Sequence, residues 1–368
     1  MSEAQPSSSH RSRWLVAAGV TVAVLVAAGV GAAVAASLDT DSSSSTSASS
    51  EPPAVCPAVR IARKTLPSVV TIEVQTAGAS GSGSGEVIRP DGEILTNDHV
   101  VSAGAASGTV SVIFSDGDRE SATIVGRDPA TDLAVVKVNT GKSLRVIPFG
   151  KSSQLDVGQP VVALGAPLGL SSTVTTGIVS ALERSVQLPS DGTVSALLVG
   201  AIQTDAAINP GNSGGALVDC SGKLVGVPTA GAVVPGPNGP SAGNIGIGFA
   251  IPSEFAKAIS DELIANGSVT HSSFGIQVSQ IPPSTARDGR ESGGLYVVAV
   301  APAGPSDQAG LRPGDVMTEI DGETLSTAQQ LQAITLTKRP GETVTVVYRR
   351  NGTTHSTTLT LGPLTSTP

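Results

Sequence analysis

Short apolar runs separated by Gly, Pro, Asp and Asn occupy the chain from Ser68 to about Pro252. β-Branched residues dominate these runs, and turn-forming residues recur at short intervals between them. This pattern is typical of an all-β sandwich or barrel. The clearest runs are VVTIEV, TVSVIF, DLAVVKV, PVVALG and KLVGVPTA.

A helix is predicted directly after this β-rich region. Ser253 is the expected N-cap, and Phe255, Ile259 and Leu263 repeat at every fourth position. Gly267 is expected to end the helix.

A second, smaller unit is predicted over residues 273–362. GLYVVAV and ETVTVVYRR indicate strands, and STAQQLQAIT indicates a capped helix between them. Asn351-Gly352 is a hairpin turn signal between two β-forming runs. Mixed strands with one or two helices predict a small α+β module.

The N-terminal region carries an uncharged apolar segment from Trp14 to Ala36, long enough to span a bilayer as a transmembrane helix. Basic residues precede it and acidic residues follow it, so residues 1–13 are expected in the cytoplasm and the bulk of the chain outside. The small residues at its end leave a cleaved signal peptide as the alternative. Both alternatives export the rest of the chain, and the Ser-rich residues 37–55 are expected to form a disordered linker.

Composition narrows the function classes. The 368 residues carry a net charge of −8, which argues against a nucleic-acid or anionic-lipid surface. The two cysteines form no CxxC pair, so no metal site is expected. The segments GSGSGEV and TGKS are interpreted as turns, because each lacks part of a phosphate-binding loop.

Candidate catalytic residues follow from one histidine, one aspartate and one serine. Of the four histidines, only His99 lies within the β-rich region, where a structural histidine is the alternative. Asp132 directly precedes a strongly β-forming run, and aspartate is depleted in strands, so it needs a partner. The segment INPGNSGGAL contains Ser213, and the order His99, Asp132, Ser213 is that of chymotrypsin-type β-barrels.

Several longer motifs give the sequence a family resemblance. LTNDHVV, TDLAVVKV, LGAPLGLSSTVTTGIVSALER, QTDAAINPGNSGGALVD and GIGFAIP resemble the protease core of the HtrA/Deg serine proteases. AGLRPGDVMTEIDGETL resembles the PDZ domain that follows it in that family. The resemblance implies a mostly β fold: a chymotrypsin-like double β-barrel protease domain at 56–267 and an α+β PDZ domain at 273–362. The apolar segment at 14–36 also suits the membrane-anchored bacterial members.

The resemblance implies roles for the candidate residues. Ser213 is the expected nucleophile, His99 its general base, and Asp132 the group that orients the histidine. The backbone N–H groups of Gly211 and Ser213 are expected to form the oxyanion hole. Asn212 replaces the aspartate that precedes the nucleophile in digestive proteases, so activation by an ion pair with a new N-terminus is not expected.

Two binding regions are also implied. The primary specificity pocket is expected near Ala207 and VPTAG, where no acidic residue stands, so cleavage after small or medium aliphatic side chains is predicted. Pro228 within that wall lacks a backbone donor. In the small module, the amides of Phe274, Gly275 and Ile276 are expected to receive a peptide C-terminus, with Leu331 in the groove wall. The alternative is that Phe274 and Ile276 belong to the core.

Cys56 and Cys220 are both expected outside the membrane, where a disulfide between them is plausible. Two free, buried thiols are the alternative.

The sequence therefore predicts an exported serine endopeptidase that needs no cofactor. The expected partners are unfolded or damaged envelope proteins, peptide C-termini and, through the N-terminal helix, the membrane, with no nucleic acid. A catalytically latent or chaperone-like binding protein and a signalling protease with one target are the alternatives. The family commonly forms trimers through aromatic residues, but residues 56–75 contain none.

Overall fold

Six antiparallel strands close into the first of two β-barrels. The structure is a computed structural model that describes residues 56–166, 173–188, 196–229, 235–236, 239–240, 246–281 and 293–364. The first barrel has the strand order β1-β2-β3-β6-β5-β4. Its strands are β1 Val69–Gln75, β2 Ser80–Val87, β3 Glu93–Thr96, β4 Thr109–Ile113, β5 Arg119–Asp128 and β6 Leu133–Val138.

The second barrel repeats the connectivity of the first. Its order is β7-β8-β9-β14-β11-β10, and β12 pairs with β13 as a separate two-stranded sheet. Both barrels are expected from the β-branched runs, and each is closed, so neither leaves a sheet edge unpaired. The strands of this region are β7 Pro160–Gly165, β8 Thr173–Gln187, β9 Leu197–Thr204, β10 Ala216–Val218, β11 Leu224–Thr229, β12 Pro235–Gly236, β13 Gly239–Pro240 and β14 Gly248–Pro252.

Alternation along the strands creates separate apolar cores. Val70, Ile72 and Val74 point into the first barrel, whereas Val69 belongs to a cluster shared with the second barrel. Successive side chains of a strand face opposite sides, so one strand serves both cores. The interior of the second barrel has its own cluster, which includes Val161.

Five helices accompany the strands in the described chain. They are α1 Ala58–Thr65, α2 Asp98–Ser107, α3 Ser253–Asn266, α4 Pro305–Gln308 and α5 Ala328–Thr337. The predicted helix after the β-rich region is α3, where Ile259 and Leu263 are buried and Gly267 ends the helix in the left-handed conformation. The predicted N-cap was wrong: Pro252 holds that position, and the Ser253 hydroxyl donates to the Gly150 carbonyl instead.

The C-terminal unit is a mixed α+β module. Its sheet has the order β16-β17-β18-β20-β21, with β19 paired to β18, and β15 pairs with β22 separately. Thr327 and Gln330 form a capping box on α5, as the sequence predicts, and Asn351-Gly352 connects β20 to β21. The strands are β15 Ser272–Ser273, β16 Ile276–Ile281, β17 Gly294–Val300, β18 Val316–Ile320, β19 Glu323–Thr324, β20 Thr343–Arg350, β21 Thr353–Thr360 and β22 Gly362–Pro363.

The interpretation of GSGSGEV as a turn was wrong, because these residues lie within strand β2. A Cβ added at Gly83 would overlap Val100, and one added at Gly85 would overlap Ile94 and Ile72. Glycine stands there because neighbouring side chains cross the strand closely, and this reason exists only in the folded barrel.

The predictions for residues 1–55 lie outside the described residues. This applies to the cytoplasmic segment, the transmembrane helix or signal peptide, and the Ser-rich linker. Within the part of the chain that the structure describes, no helix is long and apolar enough to cross a membrane.

A disulfide joins Cys56 to Cys220, with 5.0 Å between their Cα atoms. It connects the segment before α1 to the turn after β10, across 164 positions of sequence. Closing so long a loop restricts the unfolded chain strongly.

We predict that replacing both cysteines (Cys56→Ser with Cys220→Ser) lowers the free energy of unfolding by about 2–5 kcal/mol. Urea unfolding of the full chain measures the difference. Adding a thiol reductant should lower the stability of the wild type but leave the double variant unchanged. Equal stability of the two proteins without reductant would contradict a structural role for the bond.

Glu86 is a fully buried carboxyl group on β2. Its strand neighbours Val69 and Leu95 belong to the apolar cluster between the barrels. Neither carboxyl oxygen has a hydrogen-bond partner among the described residues. Burial raises the pKa of Glu86 well above its usual value, because desolvation disfavours the charged form.

We predict that the stability of Glu86→Gln relative to the wild type increases as the pH rises above about 4.3, the ordinary pKa of a glutamate in an unfolded chain. The folded wild type holds the proton more tightly than the unfolded chain. Its stability is therefore fully present below the unfolded pKa and declines as the pH rises through the folded pKa. Thermal unfolding at several pH values measures this difference, and Glu323→Gln, at an exposed position of β19, is the control. A pH-independent difference between Glu86→Gln and the wild type would contradict the prediction.

Candidate active site

His99 lies in the first turn of helix α2, where backbone N–H groups lack intrahelical partners. Its N–H donates to Asp132 Oδ1 at 3.1 Å, and its ring Nδ1 lies 2.9 and 3.0 Å from the two carboxylate oxygens. An ionised carboxylate only accepts, so Nδ1 carries the hydrogen and the basic lone pair of the neutral ring is on Nε2. The sequence analysis placed His99 just after a strand, whereas the structure places it in a helix that begins after Asn97 and has Asp98 in its first turn, both of which are residues typical of a helix start.

Asp132 accepts a third hydrogen bond and is almost completely buried. Thr229 Oγ1 donates to Asp132 Oδ2 at 2.8 Å, and the Asn97 side-chain amide donates to the Asp132 carbonyl at 2.8 Å. Asp132 has a φ of +57°, a conformation that non-glycine residues rarely adopt. The bonds from Thr229 on β11 and from the start of α2 hold Asp132 in that conformation. They are the partners that an aspartate next to a buried strand was expected to need.

Exposure differs sharply between the two members of this pair. The His99 side chain is 37% exposed and that of Asp132 is 5% exposed. The imidazole therefore faces a space that a reactant can reach, while the carboxylate is shielded from water and acts through the ring.

The turn that carries Asp132 has its own buried polar support. Thr131 Oγ1 donates to Asp128 Oδ2 at 2.5 Å, and His271 Nε2 lies 2.9 Å from Asp128 Oδ1. All three side chains are buried. His271 directly precedes β15, so the pair joins the C-terminal unit to the turn before β6.

Ser213 follows a tight turn formed by Asn209, Pro210, Gly211 and Asn212. The Asn212 N–H donates to the Asn209 carbonyl at 2.9 Å, and Gly211 has a φ of +101°. Proline at the second position and a glycine with positive φ at the third are the features of a type II turn. Glycine is required at position 211 because other residues rarely adopt this φ. The turn therefore has a defined backbone geometry and is not a flexible segment.

The backbone on either side of Gly214 brings this turn next to the His99–Asp132 pair. A Cβ on Gly214 would overlap Thr96 Oγ1 and come within 2.9 Å of the Asn97 nitrogen, just before α2. The Gly214 N–H donates to the Pro228 carbonyl at 2.9 Å, and the next residue, Thr229, binds Asp132. The residue after Ser213 thus lies between the segments that hold the histidine and the aspartate.

Three residues of the site were not identified from the sequence: Ser84, Asn97 and Thr229. Ser84 is fully buried on β2, and its Oγ donates to the Gly211 carbonyl at 2.6 Å. Thr229 lies in the VPTAG segment that was considered only for the specificity pocket. The hydrogen-bond partners of these three residues are distant in sequence, so the sequence alone gave no reason to place them in the site.

Asp98 and Arg127 form an ion pair beside the site. Arg127 donates from Nε and Nη2 to the two carboxylate oxygens of Asp98, at 2.7 and 3.0 Å. Burial raises the pKa of the Asp98 carboxyl, and the hydrogen bond and charge of Arg127 partly oppose that effect. The positive charge of the Arg127 guanidinium therefore offsets part of the desolvation cost of the Asp98 carboxylate, which is buried at the start of α2.

The predicted peptide-binding loop of the C-terminal unit lies just before β16. Phe274 and Leu331 are buried in the same apolar cluster, and Ile276 packs at its edge. Gly275 has a φ of +66°, and its N–H donates to Ser273 Oγ at 3.0 Å, so one of the three predicted amides already has a partner. β16 is the end strand of its sheet and α5 packs against it.

Two domain families match the chain. The trypsin-like peptidase domain matches residues 83–227, and the PDZ domain matches residues 272–361. The first match includes His99, Asp132 and Ser213, and the second includes the predicted peptide-binding loop.

Curated relatives and solved structures extend these matches over most of the chain. "Serine protease PepD" of Mycobacterium tuberculosis is 42% identical over 311 residues, covering 82% of this chain and 65% of that protein. "Putative serine protease HhoB" of Synechocystis is 39% identical, covering 73% and 64%. The solved structure "HtrA-type protease AlgW with decapeptide" has a TM-score of 0.66 at 32% identity, covering 84% of this chain and 99% of that one. The chain spans between half and about two thirds of the length of the curated relatives.

We predict that Arg127→Met destabilises the protein by about 3 kcal/mol, because it leaves the buried Asp98 carboxylate without its partner. The loss should be smaller at acidic pH, where Asp98 is protonated. Urea unfolding at two pH values measures both effects.

The matched control is Arg89→Met, which breaks an ion pair with Asp261 whose side chains are 44% and 42% exposed. That change should cost less than about 1 kcal/mol. Equal losses for the two variants would show that burial of Asp98 has no energetic consequence.

Proposed function

The chain belongs to the HtrA-type family of serine proteases, with a trypsin-like peptidase domain and a PDZ domain, and we propose on this premise that it is an exported serine endopeptidase. The observation that carries the proposal is the Asp132 carboxylate, which accepts bonds from both the ring and the backbone of His99 beside the Ser213 turn. The proposed peptidase domain is 56–267 and the proposed PDZ domain is 273–362.

Ser213, His99 and Asp132 act as the catalytic triad in this proposal. His99 Nε2 takes the proton from Ser213 Oγ as that oxygen attacks the peptide carbonyl, and it then gives the proton to the leaving amine. Water repeats the sequence on the acyl-enzyme and releases the second product. Asp132 stabilises the imidazolium that forms, and the Thr229 hydroxyl donates a further hydrogen bond to this carboxylate.

The N–H groups of Gly211 and Ser213 form the oxyanion hole in this mechanism. The type II turn supports this role, because its central peptide has the opposite orientation to that of a type I turn. Donors fixed in this way need no reorganisation when negative charge develops on the substrate oxygen.

The proposed substrate preference depends on residues of the second barrel. We infer a specificity pocket near Ala207 and residues 227–231, and cleavage after small or medium aliphatic side chains. The absence of an acidic residue from those positions of the sequence supports this inference. The Pro228 carbonyl accepts from the Gly214 N–H, so this part of the pocket wall is bonded to the residue that follows Ser213.

The PDZ domain is proposed to bind peptide C-termini as an added strand beside β16, with Leu331 in the opposite wall. The unpaired side of an end strand offers the backbone groups that such a peptide needs. The buried position of Phe274 supports a core role for its side chain, which leaves its amide as the proposed carboxylate donor.

Export of both domains is proposed from the N-terminal segment, either as an uncleaved anchor at 14–36 or as a cleaved signal. Several relatives are described as "Probable periplasmic serine endoprotease DegP-like", which supports an extracytoplasmic location. Unfolded or damaged envelope proteins are the proposed substrates. The family suggests a homotrimer, but residues 56–75 lack the aromatic residues that commonly form it, and sedimentation of the chain tests this assembly.

We predict that a fluorophosphonate probe labels the wild type and does not label Ser213→Ala. Asp132→Asn should retain the fold but lose about 10⁴ in kcat/KM for peptide hydrolysis, because the wrong histidine tautomer is favoured. Probe labelling, followed by hydrolysis of a peptide with an aliphatic residue before the scissile bond, measures both effects. A wild type that neither labels nor hydrolyses, with or without added C-terminal peptides, would favour a non-catalytic binding protein.

A further inference from the structure

Ser84 uses every one of its polar atoms within the proposed active site. Its N–H donates to the Ser213 carbonyl at 2.9 Å, and its carbonyl accepts from Thr96 Oγ1 at 2.7 Å. Its Oγ donates to the Gly211 carbonyl at 2.6 Å and accepts from the Ala166 N–H at 2.8 Å. The residue is fully buried, so none of these bonds exchanges readily with water.

The two residues that Ser84 contacts in the nucleophile turn are the two proposed oxyanion donors. One residue holds the carbonyl of Gly211 through its side chain and the carbonyl of Ser213 through its backbone. Ser84, on a strand of the other barrel, is therefore bonded to both donor residues. The Gly211–Asn212 peptide is fixed at both ends, because the Asn212 N–H bonds the Asn209 carbonyl.

We propose that Ser84 is a positioning residue for the oxyanion hole, an inference that rests on the proposed function. The hydroxyl of Ser84 holds Gly211 at the distance from Ser213 at which both N–H groups reach the developing oxyanion. Ser84 does not touch the substrate, and its effect on the reaction passes through Gly211. Misplacement of a donor by a fraction of an ångström weakens transition-state stabilisation more than substrate binding.

The chemistry at this position requires a hydroxyl. One atom must accept from Ala166 and donate to Gly211, which alanine cannot do. The surroundings are also tight, since a Cβ on Gly215 would approach the Ser84 Cβ to 3.2 Å. Cysteine keeps a donor at the same position, but its sulfur is larger than the serine oxygen and its S–H donates only weakly.

The test compares Ser84→Ala, Ser84→Cys and the wild type as full chains. The matched control is Ser260→Ala, because Ser260 is an equally buried serine on α3 whose hydroxyl donates to the Lys257 carbonyl. We measure kcat and KM for peptide hydrolysis, and the inhibition constant of a peptide boronate, which forms a tetrahedral adduct with the nucleophile. Thermal unfolding of each variant is recorded alongside.

For Ser84→Ala we expect kcat to fall about 10- to 100-fold, less than the 10²–10³-fold loss typical of removing an oxyanion donor. KM should stay close to the wild-type value, and the boronate inhibition constant should rise by the factor by which kcat/KM falls. Ser84→Cys should lie between Ser84→Ala and the wild type, and Ser260→Ala should match the wild type.

A Ser84→Ala variant that is less stable but keeps the kcat and boronate affinity of Ser260→Ala would overturn the proposal and leave a structural role only. If Ser84→Ala does not fold, wild-type kcat and boronate affinity in Ser84→Cys would overturn it equally. A wild type that neither hydrolyses peptides nor binds the boronate would overturn the proposed function and this inference together.

Discussion

The Asp132 carboxylate is the interaction on which the arrangement of the site depends. It accepts from the ring and the backbone N–H of His99 and from the Thr229 hydroxyl. The backbone bond satisfies one of the orphan donors at the start of α2, so the group that orients the imidazole also stabilises the helix that carries it. The Thr229 bond comes from the second barrel. One buried carboxylate therefore unites helix, ring and both barrels, and the strained backbone of Asp132 persists because these contacts determine it.

Strand β2 provides the second connection between the barrels. Gly83 and Gly85 allow Val100 and Ile94 to approach the strand closely. Ser84, between these two glycines, donates to Gly211 in the turn that precedes Ser213. The two barrels have the same strand order, and both contribute to the site: His99 and Asp132 belong to the first barrel, and Ser213 and Thr229 belong to the second. The site is therefore sensitive to the packing of one barrel on the other, which the shared apolar cluster stabilises.

Polar contacts also join the PDZ domain to the peptidase domain. Arg339 Nη2 of the PDZ domain lies 3.0 Å from Glu262 Oε2 of α3, and His271, in the segment between the two domains, forms a buried pair with Asp128. Asp128 also accepts from Thr131, the neighbour of Asp132. The segment that leads into the PDZ domain is thus connected to the turn that carries the proposed orienting residue by two hydrogen bonds and one peptide bond.

The sequence by itself determined the β-rich architecture, helix α3, the capped helix α5 and the three candidate residues in their chain order. These features depend on local propensity, periodicity and motif, which neighbouring residues encode. Tertiary structure alone decided that GSGSGEV is a strand and that Pro252 rather than Ser253 precedes α3. It also decided the contacts of Ser84, Asn97 and Thr229. Each of these depends on a partner 30 or more positions away, or on a side chain that crosses a glycine, and no local pattern records such a neighbour.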